Sequence, residues 1–107
     1  MLRGEVWWTN FPGRAGRRPA LLLSRNSVYQ VRGYVTLAPI TRTIRGLPTE
    51  VLLDTSDGMA ARCAVNLDDI GTIPKASILD LITALSEEKM EAVNRAILFA
   101  LGLELPQ

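Results

Sequence analysis

The strongest constraint on this chain is a change of hydrophobic period at Ser86. Before it, apolar residues come in short β-branched and aromatic runs bounded by glycine, proline and turn formers. After it, Met90, Val93, Ile97, Ala100 and Leu101 recur at the spacing of one helical face. Ser86 is a good N-cap with Glu87 and Glu88 in the first turn, and Gly102 is placed to end the helix. The runs at 5–10, 20–23, 34–40, 49–53 and 62–67 read as strands, and 71–74 as a possible last one. Residues 11–18, with two glycines and three arginines, read as a mobile, positively charged loop. Asp54-Thr55-Ser56-Asp57-Gly58 reads as a turn and residues 75–82 as a shorter helical segment. Pro39 lacks an N–H, so its end of the third strand is expected at an edge or bulge. The expectation is a mainly β fold with some α: one domain over residues 1–107, a small, strongly curved antiparallel sheet with a C-terminal helix on one side. A length of 107 residues, 48% hydrophobic and 21% charged, suits that.

The net charge of +1 conceals an asymmetry. Residues 1–50 carry eight arginines against Glu5 and Glu50, an excess of +6, whereas residues 51–107 carry four basic and nine acidic residues, an excess of −5. A half made basic by arginine alone suits a phosphate-bearing partner, because the guanidinium fork matches phosphate oxygens and keeps its charge near neutral pH. The absence of histidine excludes Ser-His-Asp triads, Cys-His dyads, His-based zinc sites and the histidine pair of many ribonucleases. Cys63 has no internal disulfide partner and reads as a buried strand residue in a reducing compartment. No run reaches the roughly 18 apolar residues of a membrane span, so a cytoplasmic, membrane-free protein is expected. Asp68 and Asp69 are too few to hold a metal, and neither metal nor cofactor is expected.

If the second and third strands pair so that Ala20 faces Pro39, then Arg18 faces Thr41. Opposed residues have Cβ atoms about 4.5–5.5 Å apart, so a guanidinium and a hydroxyl would project together beside the 14–17 loop and the 42–45 segment. A slip of one residue breaks the pairing.

The chain resembles the MazF/PemK family of toxin endoribonucleases of bacterial toxin-antitoxin systems. The resemblance rests on Arg3-Gly4-Glu5-Val6-Trp7, Arg18-Pro19-Ala20-Leu21-Leu22, Ala38-Pro39-Ile40-Thr41, Gly46-Leu47-Pro48-Thr49-Glu50-Val51, Val65-Asn66-Leu67-Asp68, Thr72-Ile73 and Ala100-Leu101-Gly102-Leu103, in order over nearly the whole chain. It implies a small SH3-like antiparallel barrel, the PemK/CcdB-like toxin fold, with a C-terminal helix. It also implies a homodimer, a cognate antitoxin, and metal-independent, sequence-selective cleavage of single-stranded RNA to a cyclic phosphate and a 5′-hydroxyl. The family's catalytic arginine falls on Arg18 and its threonine on Thr41. Arg14, Arg17, Arg42, Thr43 and Arg45 are the candidate RNA contacts. The first loop departs from many members in having no acid, so a loop glutamate has no role here, and the cleavage sequence does not carry over. The same architecture includes toxins that poison DNA gyrase by contact, which is the alternative reading.

The chemistry stands without the name. Attack of a 2′-hydroxyl on the neighbouring phosphate builds negative charge on the nonbridging oxygens, which a guanidinium aimed there stabilises more in the transition state than in the ground state. Thr41 is suited to bond the phosphate or hold the 2′-hydroxyl. Arginine is a poor base, with a pKa above about 12, so the proton acceptor stays open. The apolar stripe on the last helix, widened by Ala92, Ala96 and Phe99, fits either core packing or contact with a second copy.

Overall fold

The computed structural model describes residues 1–103. Seven strands are present: β1 (Glu5–Asn10), β2 (Arg17–Leu22), β3 (Tyr34–Thr41), β4 (Glu50–Leu53), β5 (Cys63–Asn66), β6 (Gly71–Pro74) and β7 (Ile78–Ala84). One helix follows, α1 (Glu87–Ala100), capped by the Ser86 hydroxyl, which accepts from the Lys89 amide at 3.1 Å. The strands form one antiparallel sheet in the order β4-β5-β3-β2-β1-β7, with β6 paired to β3. Nothing pairs β4 to β7 among the described residues, so the expected barrel is an open, curved sheet.

The apolar run of β2 is continuous because the strand is buried on both faces, and successive side chains point to opposite sides. Leu21 joins Val6, Ala38, Ile40, Val51, Leu53, Val65, Val93 and Ala96 in a core roofed by α1. Ala20 and Leu22 join Tyr29, Val35, Leu37, Ile73 and Ile78 in a second core on the other face, edged by Trp7 and Phe11. Each fully buried leucine contributes about 1.5–3 kcal/mol relative to exposure.

Three expectations change. The loop before β2 is shorter than read, because β2 already begins at Arg17, paired to Asn10, making Arg17 and Arg18 strand residues. Gly13 and Gly16 turn this loop with φ of +77° and +81°, values that favour glycine. The helical segment expected over 75–82 is a single turn at Lys75–Ser77, and Ile78–Ala84 is strand β7 on the free edge of β1. Two breaks in the β1–β7 register disturb the inward-outward alternation by which a strand is recognised, and long-range pairing overrides the local pattern. Strand β6 is therefore not the last.

Pro39 lies inside a paired strand rather than at a sheet edge. The Leu23 amide donates to the Thr36 carbonyl of β3, and along an unbroken register Pro39 turns its backbone the other way. On that side β6 ends at Leu37 and β5 begins at Ile40, so the missing N–H falls in the gap between two ladders.

Candidate active site

The pairing of β2 with β3 is Ala20 to Pro39, Leu21 to Ala38 and Leu22 to Leu37, the register expected from the sequence. Two residues beyond the last pair, Arg18 and Thr41 stand on the same side of their strands as Ala20 and Pro39, at the rim of the second core. On its other edge Arg18 is paired to Thr9 of β1, which is wholly buried and holds the Trp7 carbonyl with its hydroxyl. The strand under Arg18 is thus clamped while the side chain is exposed, and among the described residues it has neither ion-pair partner nor side-chain hydrogen bond. The duller reading, a structural pairing with an acid at the sheet edge, has no partner there to support it.

Thr41 ends β3, paired to Ala64 of β5 and half-buried. Its hydroxyl oxygen accepts from the Thr43 amide at 3.0 Å. That bond occupies a lone pair, so the O–H proton is left to donate outward. Arg42, Thr43 and Arg45 follow directly on an exposed loop, and neither arginine has an ion-pair partner among the described residues. Arg14 is likewise exposed, on the loop between β1 and β2.

Arg17 separates from this group. Successive strand residues face opposite ways, and its guanidinium lies 5.3 Å from the centroid of the Trp8 ring and 3.1 Å from the Asp80 carboxylate on β7. Both charges of that pair are half exposed or more, so it contributes at most about 1 kcal/mol. Asp80 is hidden in the sequence by the helical reading of 75–82, and Trp8 by a β1–β2 pairing that the glycine- and arginine-rich loop does not reveal.

Glu50 is the residue that sequence reasoning passed over. Its carboxylate Oε1 accepts from the Arg45 amide at 3.0 Å and the Leu47 amide at 3.2 Å, folding the 42–48 loop back on the start of β4. The available signal was its rarity, since Glu5 and Glu50 are the only acids in the first fifty residues. Asp68 and Asp69 are engaged too, accepting from the Thr49 hydroxyl at 2.6 Å and the Asn66 amide group at 3.0 Å. Among the described residues no three acidic, cysteine or histidine side chains come together as a metal site. Cys63 is buried, and burial pushes its thiol up, away from the thiolate form.

Two hollows flank α1, one against Pro48, Leu52 and Phe99, the other against Arg3, Leu23 and Leu101; neither is lined by Arg18 or Thr41. Arg18 is exposed at the start of β2 and Thr41 half-buried at the end of β3, which leaves the guanidinium accessible to a polymer. A family model described as PemK-like, MazF-like toxin of type II toxin-antitoxin system matches residues 2–101.

The chain belongs to that toxin family. Among relatives of the toxin is the probable endoribonuclease MazF5 of Mycobacterium tuberculosis, 38% identical over 96 residues, which are 89% of this chain and 87% of the relative. The solved Mycobacterium tuberculosis toxin MazF-mt6 superposes with a TM-score of 0.87 at 33% identity, covering 94% of this chain and 99% of the other. A mycobacterial endoribonuclease in complex with its cognate antitoxin also superposes with a TM-score of 0.87, at 31% identity and 99% coverage of both chains. No helix among the described residues of the toxin is long and apolar enough to cross a membrane.

Proposed function

We propose that this toxin is an endoribonuclease that cuts single-stranded RNA at the strand ends carrying Arg18 and Thr41, within short preferred sequences and without a metal ion. The reading is supported by the β2–β3 register, which runs as far as Ala20 and Pro39 and, extended two residues, would bring the Arg18 guanidinium toward the Thr41 hydroxyl; among the described residues Arg18 has no ion-pair partner, and the Thr41 O–H is free to donate. The RNA 2′-oxygen attacks the adjacent phosphorus as its proton passes to solvent. The bond from phosphorus to the 5′-oxygen breaks, and that oxygen takes a proton from water, leaving a cyclic phosphate and a 5′-hydroxyl. Arg18 stabilises the charge that grows on the nonbridging oxygens, and Thr41 donates to the same phosphate. Arg14, Arg42, Thr43 and Arg45 hold the strand on either side, where an unpaired chain lays its phosphates against guanidinium groups. Arg17 contributes after exchanging Asp80 for phosphate, a small cost for so exposed a pair.

A second copy of the chain and a cognate antitoxin complete the proposal, with the whole chain acting as one domain in the cytoplasm. The helix supports the dimer: Val93 and Ala96 enter the core while Phe99 stays 64% exposed. The antitoxin is supported by the structural relative that binds one. The endoribonuclease names of the relatives favour RNA cleavage over gyrase contact. Purified toxin incubated with mixed-sequence RNA in EDTA is expected to leave 5′-hydroxyl ends at a limited set of sites. Intact RNA under those conditions, with cleavage appearing only on addition of a divalent ion, would refute the metal-free mechanism.

A further inference from the structure

Leu47, Pro48, Thr49 and Glu50 form a tight turn, closed by the Glu50 amide donating to the Leu47 carbonyl at 3.0 Å, with proline at the position whose φ it presets. Just before it, Gly46 has a φ of +71°, and the amides of Arg45 and Leu47 on either side of it converge on one point. A concavity of this kind, built from amides around a left-handed residue, binds anions. Here the anion is internal: the Glu50 carboxylate fills it, with Oε1 accepting from both amides and Oε2 lying 3.4 Å from the Arg45 amide. The far end of the loop is held by the Thr49 hydroxyl on Asp68 at 2.6 Å, and its near end by the Thr43 amide on Thr41. An acid placed among arginines weakens phosphate binding by its charge, so its place there calls for a compensating role. We infer that Glu50 is a positioning residue for RNA cleavage: by capping the Arg45 and Leu47 amides it pre-forms the loop that presents Arg42, Thr43 and Arg45 to the substrate. The inference rests on the proposed role of that loop as an RNA contact.

Without the carboxylate the loop must be ordered by the RNA itself, and the entropy of ordering one or two residues is lost from binding. Arg18 and Thr41 sit on the sheet and keep their places. Glu50→Ala is therefore expected to raise KM about tenfold and leave kcat within about twofold. Exchange of the Arg45 and Leu47 amides with water, followed by NMR without RNA, should accelerate at least about tenfold. Glu50→Gln keeps the oxygen that receives both bonds, and should restore most of the protection and of KM. Retention of the wild-type melting curve by Glu50→Gln separates loop positioning from a folding defect.

Unchanged KM in Glu50→Ala, unchanged exchange at both amides, or a loss confined to kcat each overturn the inference. Glu50→Gln as impaired as Glu50→Ala also overturns it, because charge rather than the acceptor would then be what matters. Failure of the underlying reading has a different signature: Arg42→Ala and Arg45→Ala, together in one chain, would bind and cut RNA like wild type whatever Glu50 does.

Discussion

Replacing Thr41 by valine keeps the shape of the side chain and removes its hydroxyl. Among the described residues that hydroxyl makes one bond, accepting from the Thr43 amide at 3.0 Å. Thr43 is exposed, so its amide finds water when the partner is lost, and the cost to stability is about 1 kcal/mol or less. For a chain of this size that is a fall in melting temperature of about 4–8 °C. With a total stability of about 5–15 kcal/mol, the variant remains folded at 25 °C. Activity should respond on another scale. Loss of one oriented donor to a transition-state oxyanion costs about a hundredfold to a thousandfold in kcat, equivalent to about 2.7–4 kcal/mol. The two quantities therefore separate catalysis from folding: thermal melting and single-turnover cleavage of one labelled RNA, measured on wild type, Thr41→Val and Thr41→Ser. Serine retains the hydroxyl and should stay within about tenfold of wild type. Cleavage by Thr41→Val within about threefold of wild type would refute the assignment of Thr41 as a donor. A fall in rate matched by loss of the folded state would show that Thr41 supports the strand end rather than the reaction.

Two further outcomes follow from the fold. A Cβ at Gly58 would meet the Thr83 hydroxyl oxygen at 2.3 Å, at a φ of +91°, so Gly58→Ala should destabilise by roughly 1–3 kcal/mol in urea unfolding; a change below about 0.5 kcal/mol would show that the turn moves freely off β7. Asp54 is held below the usual carboxylate range, first by the Ser56 hydroxyl and then by the Ser56 amide, both donating to it. A depressed folded pKa gives stability that is present above the unfolded value and lost as pH falls through the folded one, so Asp54→Asn should flatten the acid limb of the melting curve below about pH 4. An unchanged acid limb would contradict this.

Much of the candidate site was legible because its signals are local or of short range. The two apolar runs point to a β2–β3 pairing, but eleven residues lie between the strands, and the offset that sets Ala20 against Pro39 draws on the family resemblance as well as on the runs. Helix α1 announces itself through Ser86, the two glutamates after it and the spacing of Val93 and Ala96. Asn10 was read as strand, but its pairing to Arg17 was not, since glycine and arginine in the intervening loop resemble any polar connection. Glu50 could be singled out as a rare acid, yet its role depends on amides three and five residues away being turned toward it by Gly46.

The order of residues alone carries the arginine-rich first half, the lack of histidine and the strand-to-helix change at Ser86. Each of these is a matter of composition or of hydrophobic period along the chain. Tertiary contact decides the rest. Strand β7 exists because the edge of β1 is open to receive it, through a register too irregular to leave a period of two. Five arginines that look alike as sequence become different groups: Arg17 turns to Trp8 and to Asp80, sixty-three positions away, while Arg14, Arg18, Arg42 and Arg45 have no ion-pair partner among the described residues. The free energy of a charge depends on what lies within a few ångströms of it, and for residues so far apart in the chain only the fold determines that.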